Sequence, residues 1–163
     1  MPEYALTMSE AAAPRAEWCP ISRSLDAVSQ RSAFLVLREA FYGTTRFDDF
    51  ATRVGVSEQI VAARLKSLVA EGLLGRRPYK EPGRRTRHEY HLTESGREFY
   101  PVIAPMFLWG SRWRGPAVAQ LQHRDCGTPV RIVLECERDH GDLTVGDVEV
   151  SPAKQGSSTA PRS

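Results

Sequence analysis

The fold of this 163-residue chain is decided by residues 56–87, which read VSEQIVAARLKSLVAEGLLGRRPYKEPGRRTR. Ser57 is a residue type that caps helix N-termini, and Gly72 is one that ends helices. Between them, apolar residues recur at the three- and four-residue spacing of one helix face. These residues are Val61, Leu65 and Leu68. The first half of the stretch therefore predicts an amphipathic helix.

The second half predicts a β-hairpin directly after that helix. Strand-like residues occupy 73–79 and 87–92, and Pro82-Gly83 lies between them as a turn signal. Arginine is concentrated at this turn and in the strand after it. A helix beside an arginine-tipped hairpin is a combination that suits double-stranded DNA, because the helix fits a major groove and the hairpin reaches the flanking phosphates.

The candidate DNA-binding residues lie on these two elements. On the helix, Gln59 can bond adenine, Lys66 can meet a base edge or a phosphate, and two alanines allow close approach or contact with a thymine methyl. Ser57 marks a helix N-terminus whose backbone N–H groups suit a phosphate oxygen. Hairpin arginines are candidates for phosphate or minor-groove contacts. The full predicted set is Ser57, Gln59, Ala62, Ala63, Arg64, Lys66, Arg84, Arg85 and Arg87.

The flanking sequence predicts further helices on both sides. Helical spacing and stop signals place a short helix from Pro20, a second over 33–42 and a third over 46–53. Thr93 caps a fifth that runs toward Trp113, and its two prolines predict a kink or a break. The fold class is mainly α with a small antiparallel β-hairpin. We expect a winged helix-turn-helix with a short C-terminal β-containing extension.

Composition divides the chain into four segments. Residues 1–18 lack periodicity and predict a flexible N-terminal arm. Residues 19–114 form the expected DNA-binding and dimerisation domain. Residues 115–150 are expected to form a small extension with β-like runs at 130–134 and 145–150, and 151–163 a disordered tail. Residues 1–114 contain 17 of the 22 Lys and Arg and 13 of the 20 Asp and Glu. The excess of basic residues therefore lies in the part of the chain that contains the expected DNA-binding domain.

Several separate motifs in one order carry a family resemblance. They are Cys19-Pro20, Leu37-Arg38-Glu39, Arg46-Phe47-Asp48-Asp49-Phe50, Ser57 with Arg64-Leu65-Lys66-Ser67-Leu68, Glu71-Gly72-Leu73, Glu89-Tyr90-His91-Leu92-Thr93-Glu94-Ser95-Gly96 and Trp109-Gly110. Over residues 19–113 the chain thereby resembles the HxlR-type winged-helix transcriptional regulators of bacteria. The resemblance implies a homodimer that binds operator DNA, with the fourth helix in the groove and the hairpin as the wing. Gln59 and the run 29–33 depart from the family pattern, so the operator sequence is not transferable.

The last helix is apolar on more faces than one small domain covers. A second copy of the chain would cover it and would present two recognition helices to a pseudo-palindromic operator. The alternative is that the acidic C-terminal segment folds back over this helix. The candidate interface residues are Phe99, Ile103, Met106, Phe107, Trp109 and Trp113.

The three cysteines suggest two further hypotheses. Cys19 stands just before a helix start, where the helix dipole and Arg23 could lower its thiol pKa, and some cysteine-bearing members of the family it resembles are redox sensors. The alternative is a small buried residue. The pairs His123/Cys126 and Cys136/His140 have spacings that suit zinc, although Asp139 stands where a further cysteine is expected. Zinc in the extension is the one cofactor considered, and none is required.

Other function classes receive less support. The sequence contains no phosphate loop, nucleotide fingerprint or catalytic triad pattern, so an enzyme is not expected. No apolar run reaches the roughly twenty residues that span a bilayer, and residues 1–17 do not resemble an export signal. We expect a cytoplasmic regulator that responds to an unidentified small molecule or oxidant. The rival hypotheses are a winged helix used for protein contacts alone and a thiol or zinc enzyme.

Overall fold

The computed structural model describes residues 7–8, 19–83, 85–116 and 118–152. Its helices are α1 (Pro20–Val28), α2 (Arg31–Phe41), α3 (Phe47–Val54), α4 (Glu58–Ala70), α5 (Glu94–Glu98) and α6 (Tyr100–Trp113). Its strands are β1 (Thr7–Met8), β2 (Leu74–Tyr79), β3 (Arg87–Leu92) and β4 (Glu149–Val150), and a 3-10 helix covers Val145–Asp147. The winged helix-turn-helix order expected from the sequence is confirmed. In the described part of the chain no helix is long and apolar enough to cross a membrane.

The chain divides into two compact units, one of residues 20–130 and one that contains β1 together with residues 131–152. The division falls after Val130, whereas the composition of the sequence suggested a change near Gly115. The predicted function of each segment stays a prediction.

The core of the larger unit is built from one face of each of α2, α3 and α4. Phe50 of α3 and Leu37 of α2 are fully buried. The predicted stripe of α4, Val61, Leu65 and Leu68, is fully buried as well. The three-and-four spacing of these apolar residues explains why the helices form where they do, since most helical stability in a small domain comes from burying one face.

Helix α4 begins and ends at the predicted signals. The Ser57 hydroxyl accepts a hydrogen bond from the Ile60 amide at 3.4 Å. At the other end, Gly72 adopts a φ of 73°, which favours glycine. The amide of Gly72 donates to Val69 O at 3.1 Å and that of Leu73 donates to Leu68 O at 2.9 Å. This pair of bonds is a Schellman motif, and it turns the chain directly from α4 into β2.

The wing is the antiparallel hairpin of β2 and β3. Its register pairs Leu74 with Leu92 at the inner end and Tyr79 with Arg87 at the outer end. The segment before α3 adds a short third edge, because the amide of Tyr90 donates to Thr45 O at 2.8 Å and Arg46 forms a β-bridge with Glu89. The start of α3 is therefore attached to the outer half of the wing.

The expected break in the last helix is confirmed, and it lies at Phe99. Thr93 caps the short α5 by accepting from the Gly96 amide at 3.0 Å. Pro101 then occupies the first turn of α6, where a missing N–H costs nothing, and Pro105 lies inside α6. A Cβ at Gly96 would overlap the carbonyl oxygen of Leu73, so this position requires glycine.

Outside the winged helix, the structure differs from several sequence predictions. No strand forms over residues 130–134. Among the described residues this run makes two isolated backbone bonds, from Val130 N to Leu121 O and from Leu143 N to Leu134 O, both at 2.9 Å. Residues 145–150 form the 3-10 helix and β4. Strand β4 pairs in parallel with β1, so residues 7–8 belong to a sheet and not to the predicted flexible arm. The rest of that arm, 1–6 and 9–18, and the tail from 153 lie outside the described residues.

Candidate nucleic-acid interface

Helix α4 presents a solvent-facing side opposite its buried stripe. Gln59, Ala62, Ala63 and Lys66 are all exposed, as the helical periodicity predicted. Two small residues between two polar ones leave the backbone of α4 open to close approach, which suits a helix that enters a major groove. The side chain of Ser57 is used to cap the helix, so it is the backbone N–H groups of this first turn that remain available for a phosphate.

Arg64 lies at the edge of the buried stripe and is half-buried. Its Nε is buried and has no hydrogen-bond partner among the described residues. The side chain lines a cleft of about 440 Å³ between the N-terminus of α2 and the turn that joins α3 to α4. Arg64 therefore differs from Gln59 and Lys66, since part of its guanidinium faces the protein.

The arginines of the wing have different surroundings. Arg85 is exposed at the tip. Arg84 lies outside the described residues. Arg87 is in an ion pair with Asp48 of α3, with Nη1 2.6 Å from Oδ2. The hydrogen bond to Asp48 and then the one to Tyr79 raise the pKa of the Arg87 guanidinium above its ordinary value. Arg85 is thus exposed at the turn and forms no ion pair or hydrogen bond among the described contacts.

Two residues of the wing's surroundings were not singled out from the sequence. Arg46 and Asp48 both contact the wing, and they belong to the run Arg46-Phe47-Asp48-Asp49-Phe50 that carried the family resemblance. Nothing local in the sequence indicates these contacts, because the partners lie 35 and 39 residues away. On the wing itself, Arg76 lies 3.1 Å from the imidazole Nδ1 of His88, so its charge is also partly engaged.

The candidate dimer residues of the last helix fall into two groups. Met106, Trp109 and Trp113 are exposed by 51%, 53% and 62%. Phe99 and Ile103 instead pack against the chain's own core, and Phe107 lines a small cavity of about 130 Å³ with residues of α2. Three large apolar side chains in solvent on one helix are what a protein contact requires.

In each of the two predicted zinc-ligand pairs, the histidine ring contacts the cysteine sulfur of the same pair. His123 Nδ1 lies 3.4 Å from Cys126 Sγ, and His140 Nδ1 lies 3.2 Å from Cys136 Sγ. A tight turn at Gly127, with a φ of 68°, brings the first pair together. The Thr128 hydroxyl, 3.3 Å from Sγ, lowers the pKa of the Cys126 thiol by stabilising the thiolate. Over the described residues, no group of three or more His, Cys, Asp or Glu is gathered as a metal site. The four-ligand zinc site stays a prediction.

Cys19 is half-buried and is a free thiol at the residue before α1. This placement agrees with the predicted helix start at Pro20.

Comparison with known proteins identifies the family. The sequence profile of the HxlR-like helix-turn-helix family matches residues 27–118. An uncharacterized HTH-type transcriptional regulator of Mycobacterium tuberculosis is 35% identical over 136 residues, which cover 81% of this chain and 84% of that protein. The crystal structure of PA1607 is similar with a TM-score of 0.74 and 32% identity, covering 83% of this chain and 95% of that one. The redox regulator HypR in its reduced form has a TM-score of 0.53 at 26% identity, covering 59% and 94%.

The chain therefore belongs to the HxlR-like helix-turn-helix family. It is a DNA-binding transcription regulator with a winged-helix fold, as the resemblance drawn from its motifs predicted.

Proposed function

We propose that the chain binds a pseudo-palindromic operator as a homodimer, with α4 in the major groove and the wing on the flanking backbone. The observation that carries the proposal is the exposed face of α4, because its buried stripe fixes Gln59 and Lys66 outward. The exposed Arg85 of the wing supports a phosphate contact beside that groove. Base edges then give sequence preference and phosphates give affinity.

Selection of duplexes from a random-sequence pool tests DNA reading. Wild-type protein should enrich one two-fold-related sequence, and Gln59→Ala should relax the preference at one position in each half-site. A change of base preference of this kind corresponds to about tenfold in affinity. Arg124→Ala, which removes a cation outside the helix and the wing, is the control and should leave the preference unchanged. Failure of the wild-type protein to enrich any sequence would refute the proposal and favour a protein-contact module.

The dimer part of the proposal rests on Met106, Trp109 and Trp113, which stand in solvent on α6. Burying three such side chains against a second copy removes several hundred Å² of apolar surface from water. Trp109→Asp should convert a dimer into a monomer in sedimentation equilibrium and should lower operator affinity. A wild-type protein that sediments as a monomer would favour the alternative, in which the C-terminal segment covers α6.

We propose an oxidant as the effector class. Support comes from the half-buried free thiol of Cys19 and from the similarity to the redox regulator HypR. Peroxide treatment should change operator affinity in the wild type and not in Cys19→Ser, whereas Cys126→Ser should respond as the wild type does. Unchanged affinity in the oxidised wild-type protein would refute a redox role. Because the operator is chromosomal DNA, we expect the protein to act in the cytoplasm and to catalyse no reaction of its own.

A further inference from the structure

The wing needs support from outside its own two strands. Its inner half packs against the core of the domain through Leu74, Tyr90 and Leu92. Its outer end, where Tyr79 pairs with Arg87, carries the turn with Arg85. An isolated two-stranded hairpin is at best marginally stable in water, so the orientation of its outer half depends on what else holds it.

Arg46 contacts both strands and the turn of the wing at once. Its Nη1 lies 3.1 Å from Glu81 Oε1 in the turn, and its Nε lies 3.5 Å from Glu89 Oε1 on β3. Its guanidinium stacks 4.8 Å from the ring centre of Tyr79 on β2. The planar guanidinium suits this arrangement, because one face can stack while the edges donate.

Asp48 provides a second attachment two residues later. In the first turn of α3 its carboxylate accepts a hydrogen bond from Arg87 Nη1 at 2.6 Å. Helix α3 leads into α4 through the tight turn at Gly55, whose φ is 75°. The same short helix thus joins the wing on one side and the recognition helix on the other.

We infer that Arg46 and Asp48 are positioning residues for operator binding, which hold the wing at a fixed orientation to α4 without touching the DNA. This inference rests on the proposed function. Wild-type protein would meet the duplex with the wing arginines already placed. Without the two side-chain attachments, the outer half of the wing would have to be ordered at the moment of binding, and that ordering lowers affinity.

Substitution of Asp48 tests the inference, because a positioning role and simple charge repulsion predict opposite changes in DNA affinity. DNA is a polyanion, so removal of a carboxylate from the surface that faces it should strengthen binding through long-range electrostatics. If Asp48 instead holds Arg87 and the wing, its removal should weaken binding. Asp49 is the matched control, because it lies next along the same first turn, is exposed, and forms no ion pair among the described contacts.

The experiment measures fluorescence anisotropy of a labelled duplex selected by the wild-type protein. Asp48→Asn should lower affinity about tenfold, whereas Asp49→Asn should leave it unchanged or raise it. Arg46→Lys keeps the charge but loses the fork and the stacking, so it should also weaken binding. Exposed ion pairs contribute little to global stability, so the unfolding midpoints of all three variants should stay close to that of the wild type.

Hydrogen exchange of the wing amides supplies a readout that does not require DNA. Amides of Tyr79 and Arg87 should exchange faster in Asp48→Asn than in Asp49→Asn, while amides of α4 are unchanged. Equal or tighter binding by Asp48→Asn, or unchanged exchange in its wing, would overturn the inference. If the wild-type protein binds no duplex, the proposed function fails, and hydrogen exchange still decides whether these residues hold the wing.

Discussion

Replacement of Arg85 by alanine should change how steeply DNA binding depends on salt. Arg85 is exposed at the wing tip, whereas the charge of Arg87 is balanced by Asp48 at 2.6 Å. Each phosphate contact contributes about 0.9 to the slope of log affinity against log salt concentration on B-DNA. A dimer loses two such contacts, so Arg85→Ala should reduce the slope by about 1.8.

The consequence can be stated as a ratio of affinities. Between about 50 and 200 mM salt, the wild-type protein should lose about tenfold more affinity than Arg85→Ala does. Anisotropy titrations at four salt concentrations with one duplex measure both slopes. Arg124→Ala should keep the wild-type slope, and Arg87→Ala should reduce it by less than Arg85→Ala does. Identical slopes for Arg85→Ala and the wild type would refute the phosphate contact, even if the affinities differed.

Two further predictions concern stability and acid titration. Gly96→Ala should destabilise the protein by about 3 kcal/mol in urea unfolding, because the new Cβ would overlap the Leu73 carbonyl oxygen. Gly110→Ala is the control and should not destabilise the protein, because a Cβ at this position meets open space. Equal stabilities of the two variants would contradict the close packing at Gly96. The Thr144 hydroxyl and amide donate hydrogen bonds to the Asp147 carboxylate and lower the pKa of that carboxyl group. The contribution of these bonds to folding stability is therefore present above the ordinary Asp pKa and is lost as the pH falls through the lowered pKa of Asp147. Carboxyl NMR should show Thr144→Val bringing this pKa back toward its ordinary range; a titration unchanged by the substitution would exclude the cap as its cause.

The sequence was informative where the physical cause is local. Helix α4 could be bounded from the sequence because its serine cap, its buried stripe and its glycine stop all lie within sixteen residues, from Ser57 to Gly72. Two prolines predicted a break in the last helix, and the break lies at Phe99, two residues before Pro101, while Pro105 lies inside α6. The exposed face of α4 followed from the buried one, so the predicted recognition residues other than Arg64 point away from the core.

The sequence was less informative where a side chain's partner is distant. An apolar pattern shows that Phe99 and Ile103 must be covered but not by what, and both are partly covered by the chain's own core. The sequence predicted Arg87 as a DNA contact, yet its guanidinium is hydrogen-bonded to the carboxylate of Asp48, which lies 39 residues away in the sequence. The run 130–134 is rich in β-branched residues, but a strand also needs a neighbouring strand in register, and the described residues provide none there.

The parallel pairing of Thr7–Met8 with Glu149–Val150 has a consequence for synthesis in the cell. The ribosome synthesises residue 7 more than a hundred positions before residue 149. Strand β1 therefore has no β4 to pair with while residues 20–130 are synthesised. The winged-helix unit can acquire its core during translation, because its contacts lie within its own span. The small sheet can pair only after residues 149 and 150 have left the exit tunnel.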